Sequence, residues 1–100
     1  MITVRVEESA RGPAREGRLR GARLVDFVDE ARAPIPLSCR GGTCGTCRVR
    51  VLEGAHLLAP PSAREAETRA WFGEGPDVRL ACVARAVAGG RGLLRLVALD

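Results

Sequence analysis

Hydrophobic positions along this chain fall first into a period of two and then into a period of 3.6. Ile2, Val4 and Val6 alternate with Thr3, Arg5 and Glu7, the pattern of a half-buried strand. Ser9 to Gly17 is rich in Gly, Pro, Ala and Arg and reads as a hairpin connection. It leads into a second, weaker strand around Leu19, flanked by Arg18 and Arg20. Leu24, Val25, Phe27, Val28 and Ala31 then line one face of a helix, with Asp26, Asp29 and Glu30 outside. Pro34 ends that helix, and Pro34-Ile35-Pro36 carries an extended chain to Ser38. Further on, Val49 and Val51 alternate with Arg48 and Arg50 in a strand that stops at Glu53-Gly54. Pro60-Pro61-Ser62 opens a second helix, with Ser62 as cap and Glu65 completing a capping box. This helix is expected to end near Trp71-Phe72, before Gly73. Val78 to Val83 reads as a short strand, Ala86 to Gly92 as a flexible hairpin connection and Leu93 to Leu99 as a last strand.

The length of 100 residues, 46% of them hydrophobic, fits one domain spanning 1–100 with a modest core. No apolar run approaches the roughly 18 residues of a membrane span. Met1-Ile2-Thr3-Val4-Arg5 opens directly into the alternating pattern without a leader-like apolar segment, so a cytoplasmic location is expected. Net charge is +4, and all sixteen basic residues are arginine. Asn, Gln and Tyr are also absent, which matches a GC-rich coding bias better than a need for guanidinium chemistry. Arg11, Arg15, Arg18, Arg20 and Arg23 could suggest a nucleic-acid patch. Three aromatic residues in the whole chain leave no stacking platform beside them, so they are read as solvated arginines.

Candidate chemistry lies in Cys39, Cys44, Cys47 and Cys82, spaced C-x4-C-x2-C with a fourth cysteine 35 positions on. This is the spacing of a plant-type 2Fe–2S site, and it uses every cysteine in the chain. Two irons bridged by two sulfides need two thiolates each, so four soft anionic ligands must converge. The loop glycines Gly41, Gly42 and Gly45 permit close backbone approach, with N–H groups turned toward anionic sulfur. Structural zinc also takes four cysteines but ordinarily as two closely spaced pairs, and the second pair is missing. A redox-active Cys44-Gly45-Thr46-Cys47 would leave Cys39 and Cys82 unexplained. The alternative in a different class is a zinc-stabilised, arginine-rich nucleic-acid-binding module, which would be colourless. His56, the sole histidine, cannot supply the two ligands of a Rieske set and is read as a loop residue. Trp71 and Phe72 are read as core or edge packing rather than as a docking pair.

Nearly the whole chain resembles the plant-type and bacterial 2Fe–2S ferredoxins. The carriers are Ile35-Pro36-Leu37-Ser38-Cys39-Arg40-Gly41-Gly42-Thr43-Cys44-Gly45-Thr46-Cys47, then Val51-Leu52-Glu53-Gly54 and Arg79-Leu80-Ala81-Cys82. The resemblance implies an α+β β-grasp fold: a mixed sheet of four to five strands on one main helix, with a cluster-binding loop. It implies one 2Fe–2S cluster, with Cys39 and Cys44 on the outer iron and Cys47 and Cys82 on the inner one. It also implies a one-electron carrier, not an enzyme, working between a reductase and an acceptor such as an oxygenase. The chain departs from the family's usual acidic surface and acidic, aromatic-bearing tail, which points to partners with an acidic docking surface. Arg40, between two ligands, is placed to favour the more negative reduced cluster. A monomer without nucleic-acid partner or membrane insertion is expected.

Overall fold

The structure is a computed structural model that describes residues 1–37 and 47–99. Five strands form one mixed sheet in the order β2-β1-β5-β3-β4. They are β1 (Ile2–Val6), β2 (Arg15–Arg18), β3 (Arg48–Glu53), β4 (Val78–Leu80) and β5 (Gly92–Ala98). β5 runs parallel to β1 and antiparallel to β3, and the two outer pairs are antiparallel. Among the described residues the sheet is joined by two α-helices, α1 (Leu24–Ala31) and α2 (Ala63–Trp71).

The expected α+β architecture is present, and the period-two residues carry it. Ile2, Val4, Val6, Val49, Val51, Leu94, Leu96 and Ala98 turn one sheet face inward, where Leu24, Phe27 and Val28 of α1 meet it. The apolar stripe read from the sequence is therefore the packed face of α1. That helix stops where Arg32 takes a left-handed conformation (φ 51°) and its N–H reaches the Val28 carbonyl. The next residue precedes Pro34, a position that disfavours further helix. After β3, Gly54 adopts φ 82°. A side chain there would place its Cβ 2.2 Å from the Leu93 carbonyl oxygen, so only glycine fits this crossing.

Four local expectations change. The second strand lies at Arg15–Arg18, earlier than Leu19 suggested, although the Leu19 N–H still bonds the Ile2 carbonyl at 2.9 Å. β4 ends at Leu80, not Val83, because the Leu80 carbonyl accepts from both Val83 and Ala84 and turns the chain there. Ala86 to Gly92 is not a hairpin connection, since β3 separates β4 from β5 in the sheet. Trp71 is not packed but 86% exposed, while Phe72 is partly exposed at the end of α2. Arg11, Arg15, Arg18, Arg20 and Arg23 are all exposed, as expected, and so is His56 in a short 3-10 turn, Ala55–Leu57.

Candidate metal centre

Cys47 immediately precedes β3, and Cys82 sits in the turn that follows β4. Those two strands are antiparallel neighbours, with Arg48 opposite Leu80, so the register brings the cysteines to the same end of the pair. The Ala81 N–H donates to the Cys47 carbonyl at 3.1 Å and extends the ladder to the ligand positions. Their sulfurs lie 2.9 Å apart, well beyond the about 2.05 Å of a disulfide bond. Both cysteines are buried, at 1% and 5% exposure. Two soft donors from positions 35 residues apart thus converge at a buried point. Cys39, Cys44 and Arg40 lie outside the described residues.

The turn carrying Cys82 is fastened on two sides. The Ala84 carbonyl accepts from Leu24 N–H, and Ala86 N–H donates to the Ala22 carbonyl, tying the turn to the start of α1. On the other side Ala59 N–H donates to Arg85, and Val87 N–H to Leu57. At the Cys47 side, the Arg48 guanidinium lies 4.2 Å over the Phe72 ring and 3.6 Å from Glu74. That contact joins the first residue of β3 to the end of α2.

Sequence reasoning missed the role of Glu65. The Ser62 hydroxyl does accept from the Glu65 N–H at 3.2 Å, so the cap at the start of α2 is present. The Glu65 side chain, however, turns inward. It is 1% exposed and receives Arg79 at 2.7 and 3.0 Å and the Leu80 N–H at 2.9 Å. The available signal was Arg79 itself, a charged residue inside the otherwise apolar run Val78 to Val83.

Two buried, convergent thiols beside a mixed five-stranded sheet of the β-grasp class form part of a soft-metal donor set. Residues 16–87 match the family described as the 2Fe-2S iron-sulfur cluster binding domain. The chain belongs to this family, whose domain binds a single 2Fe–2S cluster. Among similar curated proteins is the reductase subunit of an aromatic O-demethylase from Amycolatopsis sp., 45% identical over 68% of this chain and 20% of that protein. Ferredoxin-1 of Aquifex aeolicus is 37% identical over 63% of this chain and 68% of its own length. The chain thus spans only about a fifth of the longer reductase subunit. The fold is shared with an ISC-like [2Fe-2S] ferredoxin of Pseudomonas putida, at TM-score 0.76 and 16% identity over 100% of this chain and 97% of that one. It is also shared with a chain of the covalent putidaredoxin reductase–putidaredoxin complex, at TM-score 0.71 and 21% identity over 98% of each.

Proposed function

We propose that this chain is a one-electron carrier holding one 2Fe–2S cluster through Cys39, Cys44, Cys47 and Cys82. The observation that carries this reading is the buried pair Cys47 and Cys82, brought together by the β3–β4 register in a chain of this family. Donor chemistry fits the cluster: iron–sulfur centres take soft thiolates, and all four cysteines stand at the family spacing. When bound, the cluster accepts and releases one electron with no bond made or broken in the protein.

The chain's own residues supply the setting. Buried Cys47 and Cys82 keep water from one side of the site, while Leu80, Ala81 and Ala84 shape the turn behind Cys82. Cys39, Arg40 and Cys44 belong to the loop that completes the ligand set. The whole of 1–100 acts as one domain in this reading, monomeric and cytoplasmic. None of the described helices is long and apolar enough to cross a membrane.

Its partners are redox proteins. One relative is named a reductase subunit, another a ferredoxin–NAD(P)(+) reductase component, and one structural neighbour is a partner of putidaredoxin reductase or the reductase itself in complex. By analogy, this domain passes electrons between a reductase and an oxygenase-type acceptor. The net charge of +4 favours an acidic docking surface on the partner. Family membership leaves no support for the zinc-stabilised nucleic-acid reading.

The test is the visible spectrum of protein purified without oxygen, together with iron and acid-labile sulfide content. A red-brown protein with two irons and two sulfides per chain is expected. A colourless protein retaining zinc would overturn the proposal.

A further inference from the structure

Glu65 is buried where a carboxylate is costly, and its partners connect it to the cysteine turn. Among the described residues, Glu65, Thr68 and Arg79 are the buried polar or charged ones. Glu65 Oε2 receives Arg79 Nε at 2.7 Å, and Oε1 receives Nη2 at 3.0 Å, a two-pronged pairing. A buried ion pair of this kind is weak evidence for stability, because well-packed apolar residues often do as well in its place. Holding α2 against β4 therefore does not by itself account for it.

The third hydrogen bond gives the pair a direction. β4 is the last strand of the sheet. Ala81 N–H reaches the Cys47 carbonyl just before β3, and Val51 N–H reaches the Asp77 carbonyl just before β4, so the odd-numbered positions 77 to 81 make the ladder. The Leu80 N–H consequently points away from the sheet, at the buried edge, with no further strand to receive it. Glu65 Oε2 accepts it at 2.9 Å. From the same residue, the Leu80 carbonyl accepts from Val83 and Ala84 and closes the turn around Cys82. Only the Leu80 α-carbon separates the peptide held by the carboxylate from the peptide whose carbonyl closes the turn that carries the thiol.

We infer that Glu65, held in place by Arg79, is a positioning residue for Cys82: its carboxylate stands in for a missing sixth strand and fixes the start of the ligand turn. Arg79 neutralises and orients the carboxylate, and Ser62 caps the helix that delivers it. The inference rests on Cys82 being a cluster ligand. Groups behind metal ligands typically govern metal retention about 10- to 100-fold.

Two double variants separate positioning from packing. Glu65→Gln/Arg79→Met removes both charges yet leaves a side-chain oxygen to accept from Leu80 N–H. Glu65→Leu/Arg79→Met removes that acceptor as well. The readouts are the half-life of cluster loss to an iron chelator and the EPR signature of the dithionite-reduced protein. The glutamine variant should stay within about twofold of wild type, and the leucine variant should lose its cluster about tenfold faster with altered g values. If the leucine variant does not load a cluster, Glu65→Asp supplies the readout, because it keeps the charge and withdraws it by one methylene. Equal half-lives and g values for the two double variants, or an unaltered signature in Glu65→Asp, would overturn the role of Glu65. Absence of a 2Fe–2S spectrum in the wild-type protein would instead overturn the ligand assignment.

Discussion

Arg5 and Arg95 stand directly opposite each other on the parallel strands β1 and β5, and a single carboxylate reconciles them. Glu7 Oε2 receives a hydrogen bond from Arg5 Nε at 3.0 Å and lies 3.0 Å from Arg95 Nε. Like charges directly across a sheet repel, so an anion shared between them restores the pairing. The hydrogen bond from Arg5 is the main reason the Glu7 carboxyl is held below the ordinary glutamate range, with Arg95 adding to it. A depressed folded value means that the ionised carboxylate stabilises the fold above the ordinary pKa of about 4.3, and the contribution disappears as pH falls through the lower folded value. NMR titration should place the Glu7 midpoint below about 4.3, and Arg5→Met should raise it. A wild-type midpoint at or above that value would contradict the shared-carboxylate geometry.

Replacing any one of Cys39, Cys44, Cys47 or Cys82 with Ser should lose or strongly destabilise the cluster. Serine oxygen is harder and far less acidic than a thiol, so it is a poor ligand at neutral pH. Removing the cluster should also leave the loop between Cys39 and Cys47 without its organising centre, since that segment has little apolar content. Iron and sulfide assays on the four variants decide the matter. Full occupancy in two or more would refute the ligand set.

Ser62→Ala should cost about 1 kcal/mol, the usual effect of removing an N-cap acceptor, and lower the melting midpoint by several degrees. The loss of the 3.2 Å bond to Glu65 N–H is the cause. An unchanged denaturation midpoint would show that the cap bond carries no stability.

That cap marks the boundary between what was legible in the sequence and what was not. Ser62, the apolar stripe from Leu24 and the alternation in Ile2–Val6 are local signals, each confined to a few neighbouring residues. All four cysteines could be assigned to one site because ligand spacing is itself a long-range signal, readable without coordinates, whereas the pairing of Cys47 with Cys82 came from the family resemblance. The inward turn of Glu65 had no such marker. In a capping box a glutamate ordinarily bends back to its own helix start, and only the presence of Arg79 and the outward Leu80 N–H redirects it. Trp71 failed for the opposite reason: its size argues for burial, yet α2 meets the sheet through Glu65 and Thr68 and leaves the indole outside.

The reduction potential should fall between about −400 and −200 mV. Four-thiolate plant-type sites lie near −400 mV, and positive charge nearby raises the value by favouring the more negative reduced state. This chain carries sixteen arginines, with Arg40 between two proposed ligands and Arg48 directly after a third. A midpoint above zero in a redox titration would contradict an all-cysteine ligand set.

Exchange with a partner should be governed by charge and weakened by salt. If the docking surface of the partner is acidic, the rate of electron transfer falls as ionic strength rises through about 0.1 M, where the screening length is near 10 Å. Arg40→Glu should slow association while leaving the visible spectrum in place, because it changes the approach field and not the four thiolates. Trp71 offers a second, uncharged probe. It is 86% exposed and adjoins Phe72, on which Arg48 is stacked at 4.2 Å. An exposed tryptophan removed from α2 should change folding stability by no more than about 0.5 kcal/mol. Trp71→Ala should therefore leave the fold and its salt dependence intact, and any loss of rate would reflect lost apolar contact with the partner. Stopped-flow reduction by the native reductase at several salt concentrations separates the two effects. Rates that stay flat or rise with salt would refute an acidic partner and leave the arginine excess as a consequence of coding bias alone.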